Sequence, residues 1–162
     1  MIVSIGEASM TSGKPVSKAL HTAWKLAQMG CSSMYAGPVP GDEEGMRILE
    51  FLIDNCVFFD PVFCKEKQFS REKLQSVFEI NDDIDVVVLS GECLKDRSVT
   101  DTLYDVLSRQ KDVKIYLNAA GNPQILGSEL AGICFRVRTE ENEDEDYDAR
   151  IAASLQKCAD EV

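Results

Sequence analysis

The stretch from Ser17 to Val57, SKALHTAWKLAQMGCSSMYAGPVPGDEEGMRILEFLIDNCV, decides the fold. Its first part is helical in period. Val16, Leu20, Ala23, Trp24 and Ala27 recur at i, i+4, i+7, i+8 and i+11, which is one face of a helix. Trp24 shares that face with Leu20 and Ala27 and is expected in the core, with an interface anchor as the alternative. Gly30 is placed to end the helix. Ser32 to Ala36 then reads as a strand, and Gly37-Pro-Val-Pro-Gly41 as a turn that no regular element crosses. Asp42 stands in the N-cap position of a second helix, with Glu43 and Glu44 in the first turn, where the helix dipole favours acids. Met46, Leu49, Leu52 and Ile53 are the expected inner face.

The same alternation continues in both directions. Ile2 to Ile5 is a short strand ending at Gly6, and Val57 to Phe63 reads as another. Ser70 to Phe78 has helical spacing, with Ser70 as cap and Leu74, Val77 and Phe78 inward. Asp85 to Leu89 and Val113 to Leu117 are continuous apolar runs, the pattern of strands covered on both faces. Between them, Ser98 to Arg109 reads as a helix. Ile133 to Val137 is a further strand, and Tyr147, Ile151, Leu155 and Cys158 mark a closing helix. Strands alternating with helices at this spacing imply right-handed crossovers. The expected fold is an α/β three-layer αβα sandwich with a mostly parallel sheet, formed by residues 1–162 as one domain.

Composition narrows the function. The net charge is -11, but residues 140–148 (EENEDEDYD) hold seven of the 28 acids and no base. The remainder carries 21 acids against 17 bases. No basic stripe exists for a phosphate backbone, so nucleic acid is not an expected partner. The acidic run reads as a solvated linker or helix start; a divalent cation or a basic partner is the alternative. No apolar run reaches the roughly 18 residues needed to span a bilayer. The opening MIVSIGEAS has no positive charge before its apolar run and does not read as a secretory leader, so a cytoplasmic location is expected. Six cysteines stand without C-x-x-C pairing and with one histidine, so no zinc site is expected, and most read as buried reduced thiols. Neither G-x-G-x-x-G nor G-x-x-x-x-G-K-[ST] occurs.

The helix ending at Met29-Gly30, the strand after it and the turn Gly37-x-Val39-x-x-Asp42-x-x-Gly45 resemble the first half of ribokinase/PfkB-type carbohydrate kinases. Gly6-Glu7-Ala8 resembles the G-E-a start of that family, and Ser90-Gly91-Glu92-Cys93-Leu94 resembles its s-G-x-x-L segment. The resemblance implies a ribokinase-like sheet whose sugar site lies at the carboxyl ends of the strands. The sugar-contacting aspartate of the family falls near Thr11, its paired glycines at Val16 and Ser17, and its asparagine at His21. The D-x-N-x-R positions hold Asn118, Ala120 and Asn122, and Arg138 to Asn142 stands where the family has N-x-x-E. The family's G-A-G-D motif, with its anion hole and catalytic base, does not occur. The lid after Val57 is expected to be reduced or absent.

The strand ends carry Glu7, Asp42, Glu92 and Asn118. With Thr11 and His21 these are the candidate substrate-binding residues, and Glu7, Asp42 and Glu92 also fit simple roles as caps or surface acids. No catalytic, cofactor-binding or metal-binding residue is expected. The reading is a truncated, degenerate sugar-kinase-like protein without independent kinase activity, keeping affinity for a sugar, a nucleoside or a protein partner. Two alternatives stand beside it. One is half of a split kinase, with ATP and Mg completed by another chain. The other is a small regulatory α/β domain that self-associates.

Overall fold

The computed structural model describes residues 1–59 and 69–160. Strands β1 (Ile2–Ile5), β4 (Ser33–Ala36), β5 (Phe58–Phe59), β6 (Val86–Leu89), β7 (Lys114–Asn118) and β8 (Arg136–Arg138) form one sheet. Its order is β5-β4-β1-β6-β7-β8, and every neighbouring pair is parallel. A separate antiparallel hairpin, β2 (Met10–Thr11) with β3 (Lys14–Pro15), rises from the loop after β1. It is the only strand pairing outside the main sheet among the described residues.

The helices are α1 (Lys18–Gln28), α2 (Glu43–Asp54), α3 (Arg71–Ile80), α4 (Arg97–Leu107), the short α5 (Glu129–Gly132) and α6 (Tyr147–Asp160). Strand alternation sorts them into two layers. Ile2, Val86, Val88 and Tyr116 face one way, packing with Leu26 of α1 and Ala149 and Ala152 of α6. Tyr35 joins Leu20 of α1 and Ile48 and Leu52 of α2. Val3, Ile5, Val87, Leu89, Ile115 and Leu117 face the other way, onto Leu74 and Val77 of α3, Leu103 and Val106 of α4 and Leu130 of α5. The result is the three-layer αβα arrangement that the sequence pattern implies, with a wholly parallel main sheet.

Several details differ from the expectation. Val16 is 61% exposed rather than on the helix face, because Ser17 is in extended conformation and the helix starts only at Lys18. On α2 the inner residues are Gly45, Ile48 and Leu52, while Met46 and Ile53 are 64% and 63% exposed. The cause is Gly45, where a Cβ would lie 1.6 Å from the Pro40 carbonyl oxygen. Only a glycine lets the helix lean against the preceding turn, and that contact sets its rotation. Helix α4 is capped by Asp96, whose Oδ1 accepts the Ser98 N–H at 2.9 Å, so it starts at Arg97, one residue before the expected Ser98. The last strand begins at Arg136, not Ile133, since Ser128 caps α5 and Ile133 is used to terminate it. Trp24 is half-buried rather than sealed in the core. Its indole N–H donates to Asn55 Oδ1 at 3.2 Å, and its ring meets Phe51 edge-on. The residues expected to extend β5 as far as Phe63, and the Cys158 side chain, lie outside the described residues.

Candidate functional site

The chain order along the sheet reverses between β1 and β6. Strands β4 and β5 extend one way from β1, and β6, β7 and β8 the other. In open α/β sheets ligands bind beyond the carboxyl ends at such a switch point. Here that point is closed by the protein itself. The Glu7 carboxylate, just after β1, accepts the Glu92 N–H at 2.8 Å and the Cys93 N–H at 3.1 Å from the segment after β6. Tyr35 donates its hydroxyl to the Gly6 carbonyl at 2.8 Å and to the Pro38 carbonyl at 3.2 Å. A Cβ at Gly37 would lie 2.0 Å from the Gly6 carbonyl oxygen, so the loops after β1 and β4 touch backbone to backbone.

The other expected residues are placed as follows. Asp42 caps α2, accepting the Gly45 N–H at 3.1 Å. Glu92 is exposed and pairs with Lys95 at 2.7 Å. Asn118 is buried at the end of β7, with its amide donating to Asp148 and its carbonyl accepting the Ala120 N–H. Thr11 is exposed on the hairpin. Glu7 and Glu92 are thus brought together, though through the Glu92 backbone, and Asp42 and Asn118 serve the scaffold. His21 belongs to a different grouping.

That grouping is a cleft of about 400 Å3 between the hairpin, the outer side of α1 and the loop before α6. Lys14, Pro15, His21, Trp24, Lys25 and residues 143–146 line it. His21 Nε2 is 3.0 Å from Asp146 Oδ1, and Lys25 Nζ is 3.4 Å from Asp146 Oδ2. The hydrogen bond with His21, and next to it the Lys25 charge, outweigh burial and hold the Asp146 carboxyl below its ordinary value. His21 and Lys25 both lie close to Trp24, the histidine edge-on at 5.6 Å and the lysine 5.5 Å from the ring centre. The cleft therefore offers an aromatic wall, one imidazole, two ammonium groups and several carboxylates. Donors and acceptors of that mixture suit a ligand rich in hydroxyls.

Beneath the cleft, Asp148 anchors the start of α6. It is 5% exposed and accepts from Tyr116 Oη at 2.7 Å, Asn118 Nδ2 at 2.8 Å and Arg138 Nη1 at 2.7 Å. Burial, and then the Asp148 charge, push the Tyr116 phenol well above its ordinary range. Three of the seven acids in the run are thus structural. Asp144, Asp146 and Asp148 bond Arg150, His21 and Arg138 respectively. Nothing in the sequence marks them beyond their alternate spacing just before a helical pattern.

Solved structures share this architecture. A fructokinase from Xylella fastidiosa with bound ATP superposes with a TM-score of 0.65 at 14% identity, over 96% of this chain and 67% of the other. An uncharacterized sugar kinase from Pyrococcus horikoshii gives 0.62 at 14% identity, over 82% of this chain and 57% of that one. A fructokinase double mutant from Vibrio cholerae, in a fructose-, ADP- and potassium-bound form, gives 0.59 at 15% identity, over 96% and 67%. This chain therefore shares the fold of the aligned parts of these sugar kinases. It spans less than two thirds of the Pyrococcus protein's length. No protein-family model matches the sequence, and no curated protein matches it.

Proposed function

We propose that this chain is a sugar-kinase-like binding protein that has no kinase activity by itself and takes a small polyhydroxylated ligand, a sugar or a nucleoside, in the cleft beside His21. The observation that carries the reading is the closure of the switch point. Glu7 fills the crevice and Asn118 is committed to Asp148, while the open polar surface lies around His21, Trp24, Lys25 and Asp146. Phosphoryl transfer needs oriented amides for the developing charge and a base on the acceptor hydroxyl. Neither ATP nor Mg2+ is part of this reading. The sequence lacks the glycine-rich anion hole, and the described residues hold no group of three or more His, Cys, Asp or Glu side chains suited to a metal.

The test is thermal unfolding of the pure chain with fructose, ribose, adenosine or ATP–Mg2+, beside a coupled assay for sugar phosphate. A ligand at a hundred times its Kd adds about 2.7 kcal/mol, which is easily read. A shift with a sugar, abolished by His21→Ala and absent with ATP, is the expected result, and a nucleoside shift counts for this cleft only where His21→Ala removes it. Turnover by the pure chain overturns the lack of activity, and no shift with any sugar or nucleoside overturns the ligand.

One observation favours a second reading, a complementary polypeptide supplying the ATP site. The outer side of β8 has no strand partner among the described residues, and Phe135 beside it is 63% exposed. Such an edge invites pairing. Kinase activity appearing only after a partner is added would select this reading.

A further inference from the structure

On the opposite face of the sheet from the His21 cleft, a broad groove of about 1220 Å3 runs between α4 and residues 121–130. Leu94, Ile125 and Leu130 form a buried apolar floor. Asn122 also lines it, only 6% exposed, and its side-chain nitrogen has no hydrogen-bond partner. A buried amide left unpaired is costly to the fold and calls for an explanation. Three further lining groups have no partner among the described residues: the Tyr104 hydroxyl, the Gln124 amide and the Glu129 carboxylate. The two cations of the lining, Lys95 and Arg97, are exposed and each has an acid beside it. Lys95 pairs with Glu92 at 2.7 Å and Arg97 lies 3.8 Å from Asp101.

This inventory selects a ligand class. Two side-chain amides match the paired donor and acceptor on the edge of a nucleobase, which asparagine and glutamine can read with two bonds at once. A half-buried tyrosine ring and an apolar floor suit its planar faces. A free carboxylate accepts from ribose hydroxyls and repels phosphate. We propose that this groove is a second ligand site and binds a neutral nucleoside, with the base at Tyr104, Asn122 and Gln124 and the ribose toward Glu129. The proposal does not depend on the His21 cleft binding anything.

The test is a titration of the full 15N-labelled chain with adenosine, guanosine, cytidine and uridine, followed by NMR, with adenosine monophosphate alongside. The expected result is saturable shifts at Tyr104, Asn122, Gln124 and Glu129 for at least one nucleoside, with weaker binding of the monophosphate. Gln124 and Glu129 are exposed, so Gln124→Ala and Glu129→Ala keep the fold. Each should weaken binding about tenfold, the loss expected for a two-bond base contact or its ribose counterpart. The proposal is overturned if no nucleoside shifts these residues at millimolar concentration, if the shifts gather instead around His21 and Trp24, if both groove variants bind as wild type, or if the monophosphate binds more tightly.

Discussion

Replacing Asp148 with alanine isolates the interaction that holds α6, and with it the acidic loop, against the sheet. The carboxylate is 5% exposed and carries three hydrogen bonds of 2.7–2.8 Å from Tyr116, Asn118 and Arg138. The Arg138 side chain is itself only 12% exposed. Alanine strands the Tyr116 hydroxyl and the Asn118 Nδ2 and takes from Arg138 its buried carboxylate, leaving that guanidinium only the Glu140 carbonyl and the Tyr147 ring. Breaking a buried pair by removing one partner costs about 3–5 kcal/mol. That figure measures the stranded partners and not the net worth of the pair, since burying the carboxylate carried its own desolvation penalty. A domain of this size has about 5–15 kcal/mol in all, so the loss is a large fraction. At about 2–4 °C per kcal/mol, the melting temperature should fall by on the order of 10 °C. Urea unfolding followed by circular dichroism reads the same quantity, with the m-value checked for constancy. Glu145→Ala is the control on the same loop; Glu145 is exposed and should shift stability by less than about 0.5 kcal/mol. A loss below about 1 kcal/mol in Asp148→Ala, with an unchanged m-value, would refute the account of Asp148 as the anchor of α6.

Three other outcomes follow from the geometry. Asp146 has a folded pKa held below its unfolded value, so its contribution to stability is present above the unfolded value and lost as pH falls through the folded one; His21→Ala should flatten the acid limb of the stability–pH curve, and an unchanged limb would contradict the pairing. Burial, then the Glu7 carboxylate, push the Cys93 thiol far up, and burial raises Cys134 to about 12, while Cys56 is exposed. In a Cys64→Ser, Cys158→Ser background at pH 8, Cys56 should react first with a disulfide reagent, with Cys93 and Cys134 silent until unfolding. Gly37→Ala should cost about 3 kcal/mol or more by forcing apart the loops after β1 and β4, whereas Gly132→Ala, with open space at its Cβ, should be neutral or slightly stabilising on thermal melts.

Local pattern determined the elements and their order, because burial against neighbours writes its period directly into the chain. The runs that became β1, β6 and β7, the caps Asp42 and Ser70, and the helix end at Gly30 are all legible as residues, and their alternation implies the layered parallel sheet. The rotation of α2 was not legible, since it depends on how closely Gly45 approaches the Pro40 carbonyl, and amphipathic spacing alone allows Met46 and Ile53 to face inward. The candidate site divides in the same way. Sequence placed Glu7, Asp42, Glu92 and Asn118 at the strand ends, but only the folded chain commits Glu7 to the amides of Glu92 and Cys93 and Asn118 to Asp148. It also brings His21 against Asp146, 125 positions away in the chain, and turns part of an acidic run into buried and paired anchors. Periodicity records which face of an element is buried. Which polar groups meet across elements depends on loop paths and close backbone contacts, which no local period encodes.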